Sequence, residues 1–298
     1  MKTYLVTGAT SGLGLEIVKN LAENEENRVI MAIRNLAKGL EIAQEIGSNV
    51  ESIELDLSKL SNIKKFIHDW DLQIDGLINN AGVQFVNETK FTQDGYEETI
   101  AVNHLAAFML TIGLRPYLEN GNVLFIGSGT HNPNYPLAKI FGFRGAQYTC
   151  IQELARGNSN AANTVQMNLD RYATSKLLTM ITAVELSRRF ENFSSYVLDP
   201  GLMPGTGLAR NQTKIIQFLW KNVMPIFRFF LPDTTTAKKS GKAAAWIVSL
   251  PHPQNKSGTI YSYNKKPNRY VWEKVILDEN IGEEVYKDSM NIIDGYLK

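Results

Sequence analysis

The sequence predicts an α/β protein: a doubly wound parallel sheet covered by helices on both faces, three layers deep. Three observations predict it. Short apolar runs alternate with longer segments of helical length through the first two thirds of the 298 residues. A glycine-rich stretch, Thr7-Gly8-Ala9-Thr10-Ser11-Gly12-Leu13-Gly14, stands where the first apolar run gives way to the first helix. No break in composition suggests a second unit, so residues 1–298 read as a single domain.

The runs Tyr4–Val6, Val29–Ile33, Ser52–Leu55, Gly76–Ile78, Asn122–Ile126 and Ser195–Leu198 read as parallel strands, since a strand covered on both faces is apolar throughout. Between them Leu13–Glu23, Leu36–Ile46, Ile63–Trp70, Gly95–Leu118 and Arg171–Phe190 have helical length and mixed polarity. Two regions depart from this alternation. Residues 132–169, rich in Asn, Gly and Ala, are too long for an ordinary connection and read as an inserted surface flap. Residues 204–236 carry an aromatic segment broken by Pro225, read as one or two short helices forming a substrate lid. A C-terminal extension, 257–298, is charged from Tyr270 onward and reads as a solvated helix packed on the sheet edge.

Lys plus Arg number 31 and Asp plus Glu 30, so a net charge of +1 gives no electrostatic reason to expect nucleic acid or an acidic membrane as partner. A small molecule is the default partner, and no metal is expected. The single cysteine, Cys150, excludes an internal disulfide and fits a reducing compartment. Met1-Lys2-Thr3 leads at once into the first strand, leaving no room for a signal peptide, so a cytoplasmic location is expected. The apolar stretch Ile215–Leu231 is interrupted by Lys221, Pro225 and Arg228 and does not qualify as a spanning helix. A core-packed lid or dimer contact explains it, with peripheral membrane attachment through Trp220 and Lys221 as the alternative.

Gly8, Gly12 and Gly14 allow backbone amides to approach a pyrophosphate, whose charge the helix N-terminus favours; Thr10, Ser11 and Leu13 share that turn. Arg34, at the end of the second strand and about twenty positions after Gly14, stands where an acid would hold the ribose of NAD. An arginine there accepts a 2′-phosphate, which favours NADP(H) over NAD(H), with Asn35 beside it; a solvated strand-end arginine is the plain alternative. Asp56-Leu57 would touch adenine, or Asp56 would cap a helix. Tyr172 and Lys176 lie one helical turn apart, so the ammonium would stabilise a phenolate and lower the tyrosine from its usual value of about 10 toward working pH. Ser128 follows the strand ending at Ile126 and supplies a hydroxyl at the carboxyl edge of the sheet. His131, three residues on, would line a pocket or cap a turn.

Together with Asn79-Asn80-Ala81-Gly82, Asn103, Ile126-Gly127-Ser128 and Asp199-Pro200-Gly201, in that order, these motifs resemble the short-chain dehydrogenase/reductase family. The resemblance implies a Rossmann-like fold, with Ser128 orienting a carbonyl and Tyr172 exchanging a proton. Lys176 would bind the nicotinamide ribose, and Asn103 would hold a water linked to Lys176. Asn80, Ala81, Gly82, Pro200, Gly201 and Thr206 would complete the cofactor site. Members pair through the helices carrying Asn103 and Tyr172, but the insert would block that surface, so monomer and homodimer both stay open. The insert, the stretch from Pro200 to Arg210 and the run Lys256–Asn264 are closest to the branch of light-dependent protochlorophyllide reductases and retinol dehydrogenase-like enzymes. The light-using reductases carry a cysteine directly after Pro-Gly, where this chain has Leu202.

The expected activity is NADP(H)-dependent hydride transfer between nicotinamide and a hydrophobic ketone, aldehyde or alcohol under an apolar roof of Phe218, Trp220, Phe227, Phe229 and Phe230. Two alternatives stand beside it: reduction of a conjugated carbon–carbon bond in a cyclic or tetrapyrrole-like substrate, and a non-catalytic NADP-binding sensor.

Overall fold

Seven parallel strands form one sheet in the order β3-β2-β1-β4-β5-β6-β7. The structure is a computed structural model that describes residues 1–204, 233–252 and 257–297. The strands are β1 (Lys2–Thr7), β2 (Asn27–Ile33), β3 (Val50–Glu54), β4 (Gly76–Asn79), β5 (Gly121–Ile126), β6 (Phe193–Asp199) and β7 (Ile260–Ser262). The winding direction reverses between β1 and β4, so a crevice opens at the carboxyl ends of these neighbours, where Val6 stands opposite Ile78.

Alternate residues of each strand enter two separate cores. Leu5, Ile30, Leu77 and Phe125 face one, and Val6, Met31, Ile78 and Leu124 face the other. The second core is closed by α1 (Gly12–Ala22), α2 (Leu36–Ile46) and α9 (Ala237–Val248). The first is closed by α3 (Leu60–His68), by α4 (Glu98–Ile100) running through a π-helical stretch, Ala101–Ala106, into α5 (Ala107–Leu114), and by α8 (Thr164–Arg189). Burying apolar surface on both faces at about 25 cal/mol per Å² is what makes the strand runs so uniformly hydrophobic.

Several boundaries differ from the sequence reading. The helix α8, which carries Tyr172 and Lys176, starts at Thr164, not Arg171, because Asn163 caps it, its Oδ1 accepting from the Gln166 amide at 3.0 Å. The insert 132–169 therefore holds α6 (Pro136–Ile140), α7 (Ile151–Ala155) and the first turns of α8. The seventh strand went unread because three residues carry no period. The C-terminal extension forms α10 (Glu273–Ile276) and α11 (Glu279–Leu297). α11 does not lie on the sheet edge: it packs over α3, α5, α7 and α8, with Val285, Ser289 and Ile293 buried. The apolar stripe at helical spacing sends it to that helical layer, and a buried hydrogen bond of 2.8 Å joins Ser289 Oγ to His104 Nε2.

The lid expected over 204–236, with Thr206 and the five roof aromatics, falls almost wholly outside the described residues. No helix among the described residues is long and apolar enough to cross a membrane.

Candidate active site

The glycine turn is shaped for a charged ligand. Gly8 and Gly12 both adopt positive φ, +65° and +57°. A Cβ on Gly8 would lie 2.8 Å from Ala81 Cα, so β1 and the end of β4 meet only because it is glycine. A Cβ on Gly14 would lie 2.6 Å from the Gly8 carbonyl oxygen, which lets α1 start tight against the strand. Gly12 is different: its Cβ would project into open space among the described residues. Ser11, the N-cap of α1, makes no side-chain cap hydrogen bond there, so the first amides of the helix face that space unsatisfied by it. Open room in front of a helix N-terminus fits a pyrophosphate.

Thr7 fixes this turn to its neighbour. Its Oγ1 accepts from the Asn80 and Ala81 amides, each at 3.0 Å, and Asn80 Nδ2 donates to the carbonyls of Thr7 at 2.8 Å and Gly8 at 3.1 Å. Asn80 thus braces the turn, while Gly82 approaches the far end of the site: a Cβ there would lie 3.8 Å from Lys176 Nζ.

At the other end of the crevice Arg34 is exposed, just past β2, with Glu98 within electrostatic reach. Asn35 caps α2, its Oδ1 accepting from the Lys38 amide at 3.1 Å. Lys38, in the first turn of α2, is a second exposed cation close in sequence, which the sequence reading passed over. Asp56 is not the helix cap. Its Oδ1 accepts from the Ser58 amide at 3.1 Å and from Ser58 Oγ at 2.7 Å, while Lys59 occupies the N-cap of α3. Leu57 packs at the margin of the first core.

Ser128, Tyr172 and Lys176 converge at the carboxyl end of β5. Ser128 Oγ accepts from the Thr130 amide at 3.3 Å, and the hydroxyl offers Tyr172 a hydrogen bond. Lys176 is buried, donates from Nζ to the Ile126 carbonyl at 2.8 Å, and sits 5.7 Å from the Tyr172 ring centroid. Burial pulls this ammonium down to about 8, opposed by the negative charge of Asp199. Tyr172 departs from expectation. Burial first, then Asp199, push its phenol above the usual value, and the Ser128 hydrogen bond only partly opposes them. The lowering expected from Lys176 is not seen because the ammonium is turned to the β5 main chain. Burial thus makes this phenol a weaker acid than a free tyrosine, and the Ser128 hydroxyl is the neighbour that works against that.

Asn103 lies on the π-helical stretch with its side chain fully engaged: Oδ1 accepts from the Val83 amide at 2.7 Å, and Nδ2 donates to the Val83 carbonyl at 2.9 Å and Ser175 Oγ at 3.0 Å. Its side chain thus clamps the Val83 loop to α8. Pro200 and Gly201 follow β6, with Gly201 at φ +71° and the Pro200 carbonyl accepting from Ser240 Oγ at 2.7 Å.

Three features of the site were not legible in the sequence. His131 is fully buried; Nδ1 is 2.6 Å from the Ser128 carbonyl and Nε2 accepts from the Trp272 amide at 3.3 Å, so it holds Ser128 rather than lining a pocket. Phe143, from the insert, faces Tyr172 with ring centroids 6.0 Å apart, and Tyr135 packs on Tyr270 at 4.6 Å, giving the site an aromatic wall. Asp199 is buried beside the dyad.

A reversed-order parallel sheet, a glycine turn at its switch point and a Ser-Tyr-Lys cluster across the crevice define a nicotinamide-dependent oxidoreductase architecture. The chain belongs to the short-chain dehydrogenase/reductase family, whose members bind NAD(P)(H): the model of the family described as short chain dehydrogenase matches residues 2–142. A chloroplastic protochlorophyllide reductase from Pisum sativum is 31% identical over 288 residues, spanning 87% of this chain and 69% of the relative. Another from Chlamydomonas reinhardtii is 29% identical over 309 residues, spanning 97% and 74%. A solved short chain dehydrogenase/reductase from Saccharomyces cerevisiae shares the fold with a TM-score of 0.63 at 18% identity, over 95% of this chain and 99% of that one.

Proposed function

We propose that this protein is an NADP(H)-dependent reductase of a bulky apolar carbonyl compound, or the corresponding alcohol dehydrogenase. The observation that carries the reading is the convergence of the Ser128 hydroxyl, the buried Tyr172 phenol and the buried Lys176 ammonium at the carboxyl end of β5. The nicotinamide, when bound, supplies or accepts the hydride. Ser128 holds the substrate oxygen by its hydroxyl, and Tyr172 gives that oxygen its proton. Lys176 keeps the ribose end and the phenol in place, and Asn103 holds the Val83 loop against α8. Any water linking Lys176 to solvent would rest on the main-chain carbonyl of Asn103, 3.5 Å from Thr179 Oγ1. Exclusion of water by Phe143 and Tyr135 strengthens each polar contact and aligns the reactants. Arg34 and Lys38 support the choice of NADP(H) by charge.

A second reading has its own support: reduction of a conjugated carbon–carbon bond in a flat ring system. The protochlorophyllide reductases among the relatives favour it, as does the aromatic wall, which suits a planar π-face. Leu202 in place of the cysteine argues against a light-driven version.

The test is fluorescence titration of the purified protein with NADPH and NADH, repeated with Arg34→Asp and followed by turnover on apolar ketones, aldehydes and enones. Tighter binding of NADPH, moved toward NADH by the substitution, supports the cofactor assignment, and ketone against enone turnover separates the two reactions. Binding of neither nucleotide overturns both.

A further inference from the structure

Asp199 ends β6 as a carboxylate with 8% of its surface exposed, and both of its oxygens are engaged by donors. Oδ1 accepts from the Gly201 amide at 3.1 Å, and Oδ2 accepts from Asn268 Nδ2 at 2.8 Å. The amide orientation of Asn268 is fixed independently, because its Oδ1 accepts from the Tyr270 amide at 2.7 Å. A set made only of donors fits the ionised carboxylate, and an ionised carboxylate shut away from water needs a positive partner. The sheet register brings one into the neighbourhood. Lys176 Nζ rests on the Ile126 carbonyl, and Ile126 stands opposite Leu198, the residue before Asp199.

We propose that Asp199 is a positioning residue of the proton-transfer site: its carboxylate, held by Gly201 and Asn268, is the buried countercharge of the Lys176 ammonium. Asn268, from the C-terminal extension, is the residue that holds Asp199 in its charged form. The proposal rests on reading Tyr172 and Lys176 as the proton-transfer pair, but it makes a claim about charge that needs no turnover.

The electrostatics agree in sign. Asp199 is the group that opposes the loss of charge on Lys176 and the group, after burial, that raises Tyr172. The titratable groups facing Asp199 among the described residues are Lys176 and Tyr172 from α8, Tyr135 from the insert, Tyr263 from the C-terminal segment and Asp233. Of these only Lys176 is a cation, so only it balances the charge. Burial and Asp233 push the Asp199 carboxyl up, while Gly201, Asn268 and Lys176 draw it down. Deleting one donor therefore shifts the balance toward the neutral acid.

The test follows Lys176 directly, by NMR titration of the full chain labelled with ¹³C at the lysine Cε, the resonance being assigned by its loss in Lys176→Arg. Asp199→Asn is expected to lower the Lys176 midpoint by about one pH unit, the size of effect that a close countercharge exerts. Exposed Lys65, paired with Asp69, should not move. Asn268→Ala is expected to shift Lys176 the same way by less, and it decides the question alone if Asp199→Asn does not fold. A Lys176 midpoint that is unchanged or raised in the folded variants overturns the proposal. A lowered midpoint in a protein that turns over no carbonyl or enone would sustain this electrostatic role while sinking the proposed function.

Discussion

The main-chain amide of Trp272 donates to Nε2 of His131, and Nδ1 of the same ring meets the carbonyl of Ser128. One buried imidazole thus joins the C-terminal segment to the residue that would hold the substrate oxygen. The ring does this as a neutral tautomer, donating from Nδ1 and accepting at Nε2, and protonation would cost it the Trp272 contact.

That tautomer makes stability depend on pH. Burial takes His131 down to about 4 and His104 down to about 3, so both stay neutral in the folded state while the unfolded chain takes up protons near 6.5. The unfolded state binds more protons between those values, so stability is full above pH 6.5 and falls as the pH drops toward 4 and then 3. For His131 the loss is on the order of 3 kcal/mol. Glu97 and Asp199, raised by burial, work in the opposite direction in the carboxylate range. Urea midpoints measured from pH 7 to 4 should fall, and His131→Asn should flatten part of that slope.

If Tyr172 is the proton donor as proposed, replacing it with Phe removes that hydroxyl and little else. Turnover is expected to drop by about 100- to 10,000-fold with NADPH affinity nearly unchanged. Steady-state kinetics paired with a nucleotide titration checks this, and retained turnover would move the proton to another group.

The glycines of the turn should separate by kind. Gly14→Ala forces a Cβ against the backbone of Gly8 and Ala9 and should destabilise the fold by about 1–3 kcal/mol. Gly12→Ala has room for the methyl and should lose roughly 1–2 kcal/mol to its positive φ. Its larger effect should be on NADPH, whose approach the methyl obstructs. Denaturation and nucleotide binding measured on both variants distinguish the two roles.

Arg34→Asp should weaken NADPH by about tenfold to a hundredfold, the worth of a charged hydrogen bond, while NADH is spared. Lys38→Ala should weaken NADPH in the same sense by less. Equal loss of both nucleotides in the titration would mean the cations do not face the 2′-phosphate.

Ile293, on the inner face of α11, is fully buried, and Ile293→Ala should cost about 2–5 kcal/mol, read as a lower urea midpoint.

Much of this molecule is legible locally. Strands β1, β2, β4, β5 and β6 declare themselves because both of their faces are buried, so their apolar runs are unbroken. The glycine turn, Ser128, Tyr172 and Lys176 are equally plain, since each depends on neighbours in sequence. What escapes notice depends on partners far along the chain. Asp199 looked like the first letter of an Asp-Pro-Gly turn until Asn268 and Lys176 came beside it. Spacing on a helix shows that Lys176 is near Tyr172 but not that its ammonium leans toward the Ile126 carbonyl. Asn163 hides in a polar stretch, and only its bond to Gln166 reveals that α8 begins there.

The bond from His104 to Ser289 joins residues 185 positions apart, and the helix it pins contains the widened turn that carries Asn103. Closing so long a loop is entropically slow to reward, and contacts of this separation form late in folding. The crevice walls at β1 and β4 close a much shorter loop, from Tyr4 to Gly76, whereas the Asn103 helix gains its last support only when the far end of the chain returns. Refolding should show native sheet before native packing at His104, with the competent site appearing in the slower phase.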